Sequence, residues 1–191
     1  ISFRTLAFPD LTADVSFPLG GAVAGISIIA GINPWLACAF GMLAGSVAGI
    51  VTAWLHVKLG ILQLLASILV MVALYSVNLR IMGAPNLPLL GETTVFSTLV
   101  SDGNGYWMRC LIIGVVVLLA MLFLNWFYST ETGLSMRATG SNLRMAQAQG
   151  INTSWMTIIG MAISNGLIAL AGALFVQTQG GADISIGIGT I

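Results

Sequence analysis

Acidic and basic side chains are scarce in this sequence, and two aspartates stand in similar surroundings. The 191 residues contain six Asp or Glu, six Lys or Arg and one His. Asp14 and Asp183 each lie two residues before a serine, Ser16 and Ser185, so each pair offers a carboxylate and a hydroxyl. Such groups can hydrogen-bond a polar solute or a backbone N–H group. The sequence therefore leaves two roles open for them, contact with a solute and capping of a turn or helix.

The remaining reactive side chains fit no catalytic or metal-binding pattern. The only lysine, Lys58, is followed by Leu59, so the chain has no GxxxxGK[ST] phosphate-binding loop. The single histidine, His56, excludes a histidine-based metal site, and Cys38 and Cys110 lie in apolar runs without a CxxC spacing. We therefore expect no metal, no cofactor and no enzymatic activity in this chain. The absence of a basic run also argues against nucleic-acid binding.

Composition identifies an integral membrane protein. Hydrophobic residues make up 58% of the chain, charged residues make up 6%, and the mean hydropathy is +1.01. A soluble domain carries about 25% charged residues. A membrane-spanning helix needs about 20 apolar residues, and four runs are long enough: residues 34–55, 61–79, 106–128 and 155–178.

The distribution of charge indicates orientation and mechanism. Residues 34–55, 61–79, 110–128 and 155–178 contain no Asp, Glu, Lys or Arg. Ion-driven carriers normally place such groups inside the membrane, which argues against a self-contained secondary transporter. The aspartates outside these runs keep an ion-coupled carrier or a channel open as the alternative; they include Asp10, Asp14 and Asp183. The excess of positive charge predicts that the N-terminal segment, a turn at 56–60 and the stretch 130–152 are cytoplasmic, with a polar, turn-rich loop at 81–105 outside.

The apolar run 17–32 is too short for a complete span and predicts an interrupted crossing. We expect a non-helical half, then a half-helix that starts near Ser16 and holds Pro18 in its first turn. The heptapeptides 14–20 and 183–189 share the pattern D-[VI]-S-[FI]-x-[LI]-G and enter the predicted membrane from opposite sides. Such pairs indicate an inverted repeat around a translocation site near the bilayer midplane. The path would then be lined by Asp14, Ser16, Pro18, Asp183 and Ser185.

Two further patterns concern packing. Gly41, Gly45 and Gly49 repeat every four residues, which predicts a face where another helix approaches closely. The polar stretch 130–152 predicts a short helix over 143–149, with Ser141 or Asn142 as its N-cap and Gly150 as its end. So short a helix is not stable alone in water. It must therefore pack on its own chain or on a partner.

Residues 133–151, GLSMRATGSNLRMAQAQGI, resemble the cytoplasmic signature G-x-x-x-R-A-x-G-x-N-x-x-x-A-x-x-x-G-I of bacterial ABC importer permeases of the branched-chain amino acid and ribose type. The matching positions are Gly133, Arg137, Ala138, Gly140, Asn142, Ala146, Gly150 and Ile151. Residues 8–20 are similar to the D-L-[ST]-x-G-containing broken segment of that family. Phe17 and Pro18 depart from the form usual in sugar permeases, and this departure, with residues 80–88 (RIMGAPNLP), favours a branch that carries amino acids rather than sugars. The solute that the resemblance implies is small and polar, an amino acid or a sugar.

The resemblance implies an all-α, polytopic helical bundle with broken half-helices in the bacterial cytoplasmic (inner) membrane. Residues 1–191 would form a single permease domain without the terminal helices of longer members. A second permease copy (in a homo- or heterodimer), an extracytoplasmic solute-binding protein and cytoplasmic ABC ATPase subunits would be its partners, with ATP and Mg²⁺ bound in the ATPase.

By the same resemblance, residues 130–152 form a cytoplasmic coupling loop, and 141–150 is the element that docks on the ATPase. Arg137 and Arg144 would make polar contacts there, or else would anchor the loop to lipid headgroups. The residues expected to couple to the ATPase are Gly133, Arg137, Ala138, Gly140, Ser141, Asn142, Arg144, Ala146 and Gly150.

Overall fold

The computed structural model describes residues 2–6, 8–89, 91, 93–99 and 105–187, and most of them are helical. The helices are α1 (Ser2–Leu6), α2 (Ala13–Ile29), α3 (Pro34–Leu59), α4 (Gln63–Met82), α5 (Val95–Leu99), α6 (Gly105–Ser129), α7 (Glu131–Ser141), α8 (Leu143–Ala148) and α9 (Thr153–Gln179). Two short strands, β1 (Asn86–Pro88) and β2 (Gly181–Asp183), pair antiparallel with Leu87 opposite Ala182.

Four of the described helices, α3, α4, α6 and α9, are long and apolar enough to cross a membrane. This agrees with the four spans predicted from the sequence. The predicted turn at 56–60 is wrong, because His56, Lys58 and Leu59 form the last turn of α3. Basic side chains are favourable at the C-terminus of a helix. The helix ends only at Gly60, whose φ of 65° is the left-handed conformation that glycine adopts easily.

The core of the bundle is α9, which packs against α2 on one side and α3 on another. A Cβ added at Gly41 would lie 2.8 Å from the carbonyl oxygen of Gly20, and one added at Gly45 would lie 2.6 Å from that of Asn165. One added at Gly49 would lie 2.8 Å from the carbonyl carbon of Met161. The predicted glycine face is thus confirmed. It allows the backbones of α3, α2 and α9 to approach at distances that a side chain would prevent.

The structure confirms the half-helix predicted after the interruption, which is α2, but not the residue at which it begins. Its 17 residues give a length of about 25 Å at 1.5 Å per residue, short of the ~30 Å of hydrocarbon. It begins at Ala13 rather than near Ser16, so Pro18 lies beyond the first turn, in the helix interior. The prediction of Pro18 in the first turn is therefore wrong.

The predicted loop at 81–105 is more ordered than its polar residues indicate. It contains β1 and α5, and the side chains of Leu89, Val95 and Phe96 are buried. These side chains pack with Ile28 and other residues at one end of the bundle. The expectation of an irregular loop is wrong for this part, because its apolar residues are too few to show a period. Residues 101–104 lie outside the described ranges.

Candidate functional site

The interruption of the short crossing lies beside the middle of α9. Asn165 donates from Nδ2 to Asp10 Oδ2 at 2.7 Å and accepts the hydroxyl of Ser16 at Oδ1, also at 2.7 Å. Asp10 Oδ1 accepts the backbone N–H of Thr12 at 3.0 Å. Asn165 is about 18 Å from Thr153, the first residue of α9, at 1.5 Å per residue. The break therefore lies at a depth that only protein or a cavity can surround.

Hydroxyl groups join the start of α2 to α3. The Oγ1 atoms of Thr12 and Thr52 are 3.0 Å apart, and both residues are fully buried. Since the Thr52 hydroxyl donates to the carbonyl of Ala48 at 3.1 Å, Thr12 is the donor to Thr52. Ser16 is also fully buried, and Asn165 accepts its hydroxyl. This serine thus connects α2 to α9.

Asp14 lies at a cavity between α2, α4 and the segment after β2. The cavity has a volume of about 230 Å³. It is lined by Asp14, Val15, Met71, Val72, Tyr75, Ser76 and Ile184. Of these, Asp14, Tyr75 and Ser76 have polar side chains. Nearby, Asn78 donates to the carbonyl of Val15 at 3.4 Å, while its Oδ1 is buried without a hydrogen-bond partner among the described residues.

The described part of the second heptapeptide, residues 183–187, forms a strand end and a turn. Asp183 ends β2, and its Oδ1 accepts the backbone N–H of Ser185 at 2.8 Å and the hydroxyl of Ser185 at 2.7 Å. These two hydrogen bonds hold the pKa of Asp183 below its usual value of 3.8. Asp183 and Ser185 therefore bind each other in a local turn. Gly189, the last residue of the pattern, lies outside the described residues.

The two heptapeptides meet at Gly187. Its backbone approaches the carbonyl oxygen of Asp14, and a Cβ added there would lie 2.7 Å from Cδ of Pro18. Because Pro18 has no N–H, the carbonyl of Asp14 lacks its usual helical donor. The segment after Asp183 thus packs where the proline leaves α2 incompletely hydrogen-bonded. Among the described residues, no group of three or more His, Cys, Asp and Glu is arranged to hold a metal ion.

The stretch 130–152 contains a helix that the sequence did not predict. This helix, α7, begins after Thr130, whose Oγ1 accepts the backbone N–H of Gly133 at 3.4 Å. Gly133 approaches the carbonyl oxygen of Phe127, and Gly140 approaches that of Thr5. Met136 is fully buried between these glycines. One face of α7 is therefore fixed to α1 and to the end of α6.

The short helix α8 agrees with the prediction in type and caps. Asn142 is its N-cap, with Oδ1 accepting the backbone N–H of Met145 at 3.1 Å, and Gly150 follows its end with φ of 80°. Ser141, the other predicted cap, instead donates its hydroxyl to the carbonyl of Ala138 at 3.0 Å. Ala146 is the one residue of α8 that is buried.

The rest of α8 is exposed. Leu143 is 53% exposed and Met145 is 60% exposed, although both are apolar, and Arg144 between them is exposed as well. Arg137 is also exposed but belongs to α7, where it lines a cleft with Thr5 of α1. The two arginines therefore lie on different helices with different neighbours.

The sequence matches the family model "Branched-chain amino acid transport system / permease component" over residues 1–191. The chain belongs to this permease family. The permease is similar to the tyrosine transport system permease protein of Clostridioides difficile (strain R20291), with 39% identity over 191 residues that cover 100% of this chain and 62% of that protein. It is 36% identical to the uncharacterized protein RP368 of Rickettsia prowazekii (strain Madrid E), over 99% of this chain and 65% of that one.

A third relative is the autoinducer 2 import system permease protein LsrC of Escherichia coli O9:H4 (strain HS), 28% identical over 167 residues, 82% of this chain and 44% of that protein. The permease thus spans less than two thirds of the length of these relatives. No solved structure matches it. Family and fold together confirm the predicted all-α, polytopic protein of the bacterial inner membrane.

Most positions of the signature have a structural explanation in this permease. Gly133 and Gly140 allow close backbone approach, Asn142 caps α8, Ala146 fits a buried site, and Gly150 has a positive φ. Arg137 has no such explanation, since it is exposed and its guanidinium makes no hydrogen bond or ion pair with the described residues.

Two residues of the site could not be found from motifs. Asn165 lies alone in an apolar run, and its partner Asp10 is 155 positions away in the sequence. In the sequence, Asp10 is recognisable only as a charged residue outside the predicted spans. The one available signal is that an amide side chain inside a membrane helix needs a polar partner.

Proposed function

We propose that this chain forms the membrane-spanning part of a permease subunit in an ATP-driven importer and that α8 docks on a separate ATPase. The observation that carries the proposal is the exposed apolar surface of α8, where Leu143 and Met145 lie on either side of Arg144. Apolar side chains on a short polar segment outside the spans are typical of a protein interface. A small amphipathic helix with one buried residue has little other reason to expose them.

The connection from α8 to the bundle supports a coupling role. Ala146 holds α8 against the chain, and Gln147 donates from Nε2 to the hydroxyl of Thr153, the first residue of α9, at 3.1 Å. α7 is fixed on the other side by Gly133 and Gly140. A force applied to α8 would therefore be transmitted to α9 rather than absorbed by a flexible loop.

The substrate is a small polar solute that passes near Asp14. The cavity of about 230 Å³ beside this carboxylate is bounded by the first turn of α2, by α4 and by Ile184, and its polar side chains are those of Asp14, Tyr75 and Ser76. The named function of the Clostridioides difficile relative, tyrosine transport, favours an amino acid for this chain as well. In this proposal Asp14 lines the path, whereas Ser16 and Pro18 shape the interruption, and Asp183 and Ser185 shape the turn that packs on it.

The partners follow from the same proposal. A second permease copy, identical or related, completes the path, and a solute-binding protein delivers the substrate from outside. ATP and Mg²⁺ bind to the ATPase subunits and not to this chain. Residues 130–152 form the cytoplasmic coupling loop of a single permease domain.

The test is to place a charge on the exposed face of α8 in the full-length protein. Leu143→Glu should abolish substrate-stimulated ATP hydrolysis and uptake in reconstituted vesicles while membrane insertion stays normal. Leu62→Glu is the matched control, because Leu62 is 75% exposed and lies in the turn between α3 and α4 on the same predicted side. Normal uptake by the Leu143 variant would refute docking through α8. Ala146 is less suitable for this test, since it is 2% exposed and a bulky charge there would displace α8 from its own chain.

An ion-coupled carrier is the second candidate, favoured by the carboxylates of Asp10 and Asp14 at the interruption. Asp10 lies within hydrogen-bonding distance of the middle of α9, a depth where ionisable groups mark ion or proton pathways. Uptake that continues without ATP, stops when the proton gradient collapses and is lost in Asp14→Asn would support this candidate over the importer.

A further inference from the structure

Arg137 lies in a polar cleft that the docking role of α8 leaves unexplained. The cleft has a volume of about 490 Å³ and is bounded by α1, the end of α6 and α7. It is lined by Thr5, Asn125, Tyr128, Arg137, Gly140 and Ser141. Every one of these side chains except that of Gly140 can donate a hydrogen bond, and none of the described residues that line the cleft is Asp or Glu. The cleft is therefore suited to an anion.

The walls of the cleft are held in place by contacts within the chain. The hydroxyls of Thr5 and Tyr128 are 3.1 Å apart and hydrogen-bonded to each other, which joins α1 to the last turn of α6. Gly140 approaches the carbonyl oxygen of Thr5, so α7 and α1 meet backbone to backbone at the cleft, and a side chain at this position would push them apart. Within the described part of the chain, nothing pairs with the guanidinium of Arg137. The shape is thus present before any ligand binds.

The position of the cleft indicates where the anion comes from. α6 is apolar and almost entirely exposed, as expected for a helix that faces lipid. Trp126, three residues before its end, is 67% exposed, and tryptophans at helix ends lie at the level of the lipid headgroups. Asn125 and Tyr128 belong to the same last turn. The cleft therefore opens at the level of the lipid phosphates.

We propose that this cleft binds the phosphate group of an anionic phospholipid, with Arg137 as its principal ligand. A guanidinium binds phosphate oxygens through two parallel hydrogen bonds, and the Tyr128 hydroxyl supplies a further donor when it accepts from Thr5. Basic pockets at the membrane surface recognise anionic headgroups in this way. The lipid would contact α1, α6 and α7 and so hold in place the helix that directly precedes α8. The proposal depends on the cleft alone and not on what the protein transports.

The experiment uses full-length protein in neutral detergent, titrated with phosphatidylglycerol, with phosphatidylcholine or with inorganic phosphate, while thermal unfolding is followed. We expect a saturable rise of the unfolding temperature with phosphatidylglycerol alone. Arg137→Gln should weaken the apparent affinity about tenfold or more, the usual effect of losing a charge-assisted pair. Tyr128→Phe should weaken it less, and this milder variant keeps the test valid if the first does not fold. Arg144→Gln, which removes an exposed arginine outside the cleft, should titrate like the wild type.

Three outcomes would overturn the proposal. Equal titrations for wild type and Arg137→Gln would exclude the cleft as the site. An equal, Arg137-dependent response to inorganic phosphate would assign it to a free anion instead of a lipid. A loss of ATPase coupling in Arg137→Gln, with unchanged lipid response, would make Arg137 a contact to the protein partner.

Discussion

Gly45 is the position where the packing of this bundle can be tested most directly. It lies on α3 against α9, and a Cβ added there would lie 2.6 Å from the carbonyl oxygen of Asn165 and would overlap the methyl group of Ala169. Gly114 on α6 is the matched control, because an added Cβ there meets nothing within 4 Å. Both glycines are inside long helices, so the two substitutions differ in packing and not in backbone conformation.

The magnitude follows from the distance. Ordinary contact begins near 3.4 Å, so Gly45→Ala requires α3 and α9 to separate by about 0.8 Å. A gap of this size loses a quarter to a half of the dispersion energy of each contact it opens, and overpacking typically costs about 1–3 kcal/mol. Alanine gains up to about 1 kcal/mol of helix propensity over glycine. We therefore expect a net loss of about 1–2 kcal/mol for Gly45→Ala, a larger loss for Gly45→Leu, and a small gain for Gly114→Ala.

The assay is thermal unfolding in detergent, followed by intrinsic tryptophan fluorescence. The expected order of unfolding temperatures is Gly114→Ala at or above wild type, then Gly45→Ala, then Gly45→Leu. If Gly45→Leu unfolds at the same temperature as Gly114→Leu, then α3 and α9 do not pack as described and the reasoning fails.

Three other substitutions test single hydrogen bonds. Asn142→Ala removes the N-cap of α8 and should lower the local stability of this helix by about 1 kcal/mol. Amide exchange across α8 should become faster while the unfolding temperature of the bundle stays unchanged, and unaltered exchange would contradict the cap. Asn165→Leu should lower both the unfolding temperature and uptake, because it removes the partner of Asp10 Oδ2 and of the Ser16 hydroxyl. A wild-type unfolding temperature would show that these contacts contribute nothing. The pKa of Asp183 is lowered in the folded protein. Its carboxylate therefore stabilises the fold at pH values above the unfolded pKa of about 3.8. This contribution disappears as the pH falls through the lower pKa of the folded state. Asp183→Asn should therefore unfold slightly earlier than wild type at pH 7, and this difference should shrink as the pH falls below 3.8; a difference that grows on acidification would refute this.

Much of the fold could be predicted because membrane helices are defined by length and hydropathy. The runs at 34–55 and 155–178 exceed the bilayer thickness, and the register of Gly41, Gly45 and Gly49 identifies the packed face without further information. The ends of the helices were harder to place. His56 and Lys58 look like a polar turn in the sequence, yet charged residues are well placed in the last turn of a helix.

The helix α7 could not be predicted for a different reason. Its two glycines, Gly133 and Gly140, are poor helix formers, and it is polar in composition. The structure shows that these glycines are needed for contact with the backbones of α6 and α1. Local propensity therefore argued against a helix that tertiary packing stabilises.

The hydrogen bonds of Asn165 were the least predictable feature and connect the two halves of the candidate site. A crossing interrupted within the hydrocarbon must have its free polar groups satisfied by protein. Here a single amide of α9 bonds Asp10 within the break and Ser16 in the first turn after it. Four residues separate α8 from α9, and α9 is continuous as far as Asn165. Displacement of α8 along the axis of α9 would therefore break both hydrogen bonds together. The helix α9 thus joins the proposed docking element to the interruption. Asn165→Leu should reduce uptake although Asn165 is buried and cannot touch the ATPase, and uptake compared at a temperature where the variant is fully folded separates this effect from unfolding.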